Sequence, residues 1–167
     1  MNKILFLLTT AIFFTLSANA QRFFFIGEKS YPCTETIALQ SNHDGRSNLD
    51  VALAKDGTTG VIIVSTKTAS TVLIREKLFI YLDDGTVISC IDRGNNDQVD
   101  FISTTVYYLT DGDLIKMKKS NINTLKYTLR SETDMWSNKL SGGNYSASNN
   151  GSNSTDFPAL ISKFFIK

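Results

Sequence analysis

Residues 77–92 read KLFIYLDDGTVISCID, two apolar runs joined by Asp84-Gly85. Asp-Gly suits the centre of a type I′ turn, because both central positions need φ > 0, which Gly takes freely and Asp tolerates. A two-residue turn sets Leu82 opposite Val87, Tyr81 opposite Ile88, Ile80 opposite Ser89, Phe79 opposite Cys90 and Leu78 opposite Ile91. One face then carries Leu78, Ile80, Leu82, Val87 and Ile91, and the other carries Phe79, Tyr81, Ile88 and Cys90. Neither face suits water, so the hairpin is expected in the middle of a sheet covered on both sides.

Outward from this hairpin the chain keeps reading as strands. Upstream, RFFFI (22–26) and TETIAL (34–39) are rich in β-branched and aromatic residues, with Tyr31-Pro32 as a break between them. LDVALAK (49–55) and GVIIVST (60–66) flank the turn sequence DGTT, and 72–76 leads into the central hairpin through a bulge. Downstream, DRGNNDQVD (92–100) reads as a polar loop, FISTTVYYL (101–109) as a strand, and TLKYTLR (124–130) as a strand with Leu125, Tyr127 and Leu129 inward and Lys126 and Arg130 outward.

Two stretches change period. Thr110 followed by Asp113 forms a capping-box pattern, and Lys116, Lys118 and Lys119 gather where the helix dipole favours cations, so a short helix is expected from Asp111 to Lys119. In 156–165 (DFPALISKFF), Phe157, Leu160, Ile161, Phe164 and Phe165 recur at helical spacing behind a cap at Thr155 or Ser154. Between them, residues 137–155 are mostly Ser, Asn and Gly, which reads as a flexible loop. The expected fold is mainly β: an antiparallel β-sandwich or partly closed barrel of about eight strands, with a short helix before the last strand and a C-terminal amphipathic helix. The alternative is an α+β fold, a single sheet covered by the C-terminal helix.

The N-terminus has Lys3, an apolar run from Ile4 to Leu16, and Ser17-Ala18-Asn19-Ala20. This is the pattern of a secretory signal peptide (1–20) cleaved before Gln21, the run being short of the roughly 20 residues that span a bilayer. Residues 21–167 are then expected to form a single β-rich domain, secreted or periplasmic, with no membrane span in the mature chain. The full chain carries 17 Lys and Arg against 16 Asp and Glu, and loss of Lys3 makes the counts equal. Such a balance speaks against a nucleic-acid partner, which usually selects a basic excess or stripe. In an oxidising compartment Cys33 and Cys90 are expected to pair as a disulfide.

Candidate chemistry is thin. His43 is the single histidine, and no Gly-x-Ser-x-Gly elbow accompanies it, so turn chemistry around Asp44-Gly45 explains it better than catalysis. Asp92 to Asp100 offers hard oxygen ligands without the EF-hand spacing, and Asp83-Asp84 is explained by the turn. Neither a metal nor a cofactor is expected. The sequons at Asn144, Asn150 and Asn153 follow from a tract rich in Asn and Ser. The reading is an exported, non-enzymatic binding or interaction domain with a protein or glycan partner; a small secreted hydrolase is the alternative. The contact surface is placed at the C-terminal end, with Trp136 and Tyr145 as amphipathic anchors and Lys126 and Arg130 as a polar rim.

Overall fold

The computed structural model describes residues 22–69, 71–131, 142–150 and 154–165. The expected signal peptide (1–20) and Trp136 lie outside them. Eleven strands are present among the described residues: β1 (Arg22–Ile26), β2 (Lys29–Cys33), β3 (Ile37–Ser41), β4 (Leu49–Asp56), β5 (Thr59–Lys67), β6 (Val72–Leu82), β7 (Val87–Cys90), β8 (Asn96–Val99), β9 (Ile102–Leu109), β10 (Ile122–Ser131) and β11 (Gly143–Ser148). Two helices join them, α1 (Asp111–Lys119) and α2 (Phe157–Phe164). The fold is mainly β and its ladders are antiparallel, in the order β7-β6-β10-β11-β3-β4-β5-β9-β8, with β1 paired to β2 and β2 touching β4 at Cys33 and Ala54.

The sheet curls without closing into a continuous ladder. β6 runs across the inner face of β9, where Ser103 Oγ accepts from Ile74 N–H at 2.8 Å and Thr105 Oγ1 donates to Ile74 C=O at 2.7 Å. Both hydroxyl residues are fully buried. They supply the partners that a neighbouring strand would otherwise give to that peptide. The bend that allows this lies at Glu76, which has φ 69° and sits at a register shift against β10, between the pairs Phe79–Lys126 and Arg75–Thr128. Bulges turn strands in this way by leaving extra residues unpaired.

The main core fills the inside of the curl, with Leu53, Ile62, Ile74, Leu78, Ile80, Tyr107 and Leu125 among its buried side chains. A second cluster lies on the other face of β4, β5 and β9, where Ala52, Ala54, Val61, Ile63 and Val106 are covered by Ile26, Tyr31 and Cys33 of the β1–β2 hairpin. Strands covered on both faces are therefore β4, β5 and β9.

The central hairpin differs from its expected form. Its loop has three residues, Asp83 to Gly85, closed by Leu82 N–H to Thr86 C=O at 2.9 Å, with Gly85 at φ 84°. The pairs become Leu78–Cys90, Phe79–Ser89, Ile80–Ile88 and Tyr81–Val87. One residue of slip exchanges the faces of the return strand. Ile88 and Cys90 turn into the core beside Leu78 and Ile80, while Val87 and Ile91 are left 46% and 65% exposed. β7 is thus an edge strand with one open face, and not the centre of a sheet covered twice.

The expected disulfide is absent. Cys33 lies under the β1–β2 hairpin and Cys90 in the main core, and both are free thiols.

Other departures have local causes. Pro32 is inside β2, where it faces Phe23 of β1; β2 meets β4 at the single pair Cys33–Ala54, so little ladder is lost for want of its N–H. Asn96–Val99, expected as loop, pairs along β9. Gly143–Ser148, expected within the flexible Ser/Asn/Gly loop, is a strand held between β10 and β3, so the short helix precedes the last two strands.

The helices follow the sequence closely. Thr110 Oγ1 accepts from Asp113 N–H and the Asp113 carboxylate accepts from Thr110 N–H, a capping box. α1 rests on β5 where Gly60 leaves room; a Cβ there would come within 2.8 Å of Leu114 Cδ1. α2 is capped by Asp156, whose Oδ1 accepts from Ala159 N–H at 2.9 Å, and not by Thr155 or Ser154. It buries Phe157 and Ile161 fully, worth roughly 1.5–3 kcal/mol each.

Candidate functional site

The outer face of β7-β6-β10-β11 is built by alternation. The registers align Val87 with Tyr81 and Ser89 with Phe79; across β6, Tyr81 meets Thr124 and Phe79 meets Lys126; across β10, Lys126 meets Ser146 and Thr128 meets Asn144. The apolar side chains Val87, Phe79 and Tyr81 on β7 and β6 therefore adjoin two columns of hydroxyl, amide and ammonium groups on β10 and β11. Phe79 and Tyr81 are half-buried. Among the described residues no element covers this face, in contrast to the outer face of β4, β5 and β9.

Two depressions lie along it. One, of about 460 Å³, opens between Glu76, Lys77, Phe79, Ile91, Thr128 and Asn144. The other, of about 320 Å³, lies between Tyr81, Asn123, Thr124, Lys126 and Ser146. Hydrogen bonds within the face orient its polar groups: Thr128 Oγ1 donates to Asn144 Oδ1 at 2.9 Å, Thr124 and Ser148 share a hydroxyl bond at 2.9 Å, and Asn42 Nδ2 donates to Ser146 and Ser148.

Glu76 closes one end of the face. Its backbone is held in the left-handed region by three contacts: its N–H donates to Asp92 Oδ2 at 3.3 Å, Tyr107 O–H donates to its carbonyl at 3.2 Å, and Arg130 Nε and Nη2 donate to its Oε1 at 2.7 and 2.6 Å. A non-glycine residue at this φ stores strain, and such positions gather at binding sites. The Glu76–Arg130 pair is half exposed, so water screens it and its worth is positional more than energetic.

The residues expected to form a contact surface are divided. Lys126 and Arg130 do lie on the outer face, as alternation along 124–130 required. Tyr145 is opposite Tyr127 and shares its inward side, where it packs edge-on against His43 at 5.2 Å between ring centres and accepts from Arg46 Nη2 at 2.8 Å. His43 thus has an aromatic neighbour, and the Ser41 hydroxyl beside it bonds the His43 backbone, 3.2 Å from both its N–H and its carbonyl. Trp136 lies outside the described residues, between Ser131 and Gly142 in the chain. The outer face also carries Phe79, Tyr81, Thr124 and Asn144, which the sequence reading did not place at a contact surface. The signal for Phe79 and Tyr81 was present in the apolar alternation of 77–92, but the two-residue turn assigned them to a second buried face.

The acidic loop residues are occupied with backbone. Asp92 Oδ1 accepts from Gly94 N–H at 2.7 Å and Asp97 Oδ1 from Gln98 N–H at 2.8 Å. Asp84 accepts from Thr86 N–H, which holds its carboxyl below the usual range. Among the described residues no group of three His, Cys, Asp or Glu side chains is placed to hold a metal ion. No helix among them is long and apolar enough to cross a membrane. The chain matches no protein-family model, no curated protein and no solved structure.

Proposed function

We propose that the mature chain is an exported, non-enzymatic domain that binds a glycan along the outer face of β7-β6-β10-β11. The observation that carries this reading is the adjacency of Phe79 and Tyr81 to Thr124, Lys126, Thr128, Asn144 and Ser146 on one uncovered face. Sugars present apolar C–H faces beside a rim of hydroxyls, which this juxtaposition of rings with hydroxyl and amide groups complements. The arrangement lies on strands and needs no loop to move. Export is supported by the leader-like stretch 1–20, and free thiols are compatible with it because both are buried. A partly closed barrel suits the fold better than two separate sheets, since β6 and β9 are bridged through Ile74.

Affinity electrophoresis of the mature protein in a panel of soluble polysaccharides tests the reading. Retardation is expected in at least one gel, and Tyr81→Ala should weaken it about tenfold while leaving the far-ultraviolet spectrum unchanged. Absence of retardation across neutral and acidic polysaccharides, or full retention by Tyr81→Ala, overturns it.

A second reading has its own support. β7 is a four-residue edge strand paired on one side, with Val87 at its start and Ile91 just past its end exposed, and a protein partner that adds a strand would use this edge. A proline in place of Ser89 would abolish such binding and spare retardation by glycans.

A further inference from the structure

Helix α1 turns one stripe toward a cleft separate from that face. Asp111, Leu114, Ile115 and Lys118 stand at i, i+3, i+4 and i+7, so they share one side of the helix. Lys55 and Thr58 from the β4–β5 hairpin and Phe165 from the end of α2 form the opposing wall, and the enclosed volume is about 350 Å³. That is near the lower end for small-molecule sites, which run from roughly 300 to 1,000 Å³. The floor is apolar: Leu114 is buried against Gly60, and Ile115 is 53% exposed with its side chain in the cleft.

The charges are placed asymmetrically. Lys55 Nζ stands 4.9 Å from the Phe164 ring centre and 5.5 Å from that of Phe165, so its ammonium is held over the aromatic wall. Neither Lys55 nor Lys118 forms an ion pair among the described residues, whereas Lys116, on another side of α1, lies 3.8 Å from Asp113. Asp111 sits two turns from Lys118, about 10 Å along the axis. An anion is therefore favoured at the Lys118 end of the stripe and repelled at the other.

We propose that this cleft binds a small amphiphilic monocarboxylate, its hydrocarbon part on Leu114, Ile115 and Phe165 and its carboxylate between Lys55 and Lys118. Two cations over an apolar floor match both halves of such a ligand, and a neutral or cationic amphiphile would leave the lysines without compensation. The site is independent of the glycan reading, because it shares no residue with the outer face.

Calorimetry on the mature protein with octanoate below its micellar range tests this, with octanol and octyltrimethylammonium as neutral and cationic probes of the same chain length. Octanoate is expected to bind at least about tenfold more tightly than octanol, and the cation not measurably. Lys118→Met should erase the preference for octanoate over octanol, and Ile115→Asp should remove binding of both. Ile115 is exposed, so that variant is expected to keep the wild-type thermal midpoint. Equal binding of the three probes, no octanoate binding, or octanoate binding unchanged in both variants overturns the proposal.

Discussion

Leu78 and Cys90 stand opposite one another across the β6–β7 ladder, both buried in the main core. Cys33 belongs to the separate cluster under the β1–β2 hairpin. Titration of the protein with a thiol reagent should therefore find two free thiols per chain in denaturant and slow labelling without it. Fewer than two would show that the cysteines had paired. Cys90→Ser should cost about 2 kcal/mol, because a hydroxyl without a partner would replace a weakly polar sulfur, and Cys90→Ala should cost less.

Burial gives the protein an alkaline weakness. The Cys90 thiol is pushed up to about 12, first by desolvation and then by Asp113, and Tyr31 is pushed up to about 12 by desolvation and by Tyr108 and Asp56. Cys33, Tyr107 and Tyr127 are raised too, each chiefly by burial. These groups hold their protons in the folded chain at pH values where the unfolded chain has released them. Their contribution to stability is complete below the ordinary thiol and phenol range and is lost as pH rises toward the folded values. Urea midpoints should stay level up to about pH 8 and fall from about pH 9 upward. Cys90→Ala should flatten that fall; an unchanged slope would show that the thiol is not shielded.

The β8–β9 hairpin carries strain at its tip. Val99 pairs with Ile102, and the two residues between them, Asp100 and Phe101, have φ of 50° and 60°. Asp tolerates this conformation, but Phe does so poorly, and Phe101 is 55% exposed, so its ring recovers little by packing. Thr68 holds the turn by donating its N–H and O–H to the Phe101 carbonyl at 2.7 and 3.0 Å. Phe101→Gly should raise stability by about 1 kcal/mol, the strain relieved exceeding the added freedom of the unfolded chain. A lower urea midpoint for this variant would mean that the ring is buried in use.

Asn121 and Asn149 tie α2 to the sheet. Asn121 donates to Thr155 C=O at 3.0 Å and accepts from Ile122 and Phe157 N–H, both at 3.0 Å. Asn149 donates to Ile122 and Thr155 C=O at 3.0 and 2.9 Å and accepts from Thr155 N–H at 2.8 Å. Asn121→Ala and Asn149→Ala should each cost about 2–3 kcal/mol, since each strands several half-buried backbone groups. Hydrogen exchange should show α2 losing protection before β4 and β5. Uniform loss would mean that α2 opens only with the whole fold.

Where a pattern is closed within a few residues, the sequence by itself determined the outcome. The capping box at Thr110 and Asp113 and the apolar spacing of 156–165 set both helices, because their deciding hydrogen bonds and contacts span three or four positions. Alternation along 124–130 placed Leu125, Tyr127 and Leu129 inward, and with them Lys126 and Arg130 outward on the candidate face. The hairpin at 83–85 could not be settled this way, since Asp-Asp-Gly serves a two-residue or a three-residue loop. Tertiary bonds accompany the longer one: Asp83 N–H donates to Asn121 C=O and Asp84 N–H to Ser120 Oγ, both at 3.0 Å. That one residue of register decided that Val87 and Ser89, in place of Ile88 and Cys90, share the face of Phe79 and Tyr81, and with it where Cys90 points. β11 was decided by tertiary structure as well. GNYSAS has little apolar surface to mark it as a strand, and it is ordered because β10 pairs along its length on one side while β3, from early in the chain, adds the pairs Ala147–Ser41 and Ser148–Gln40 on the other.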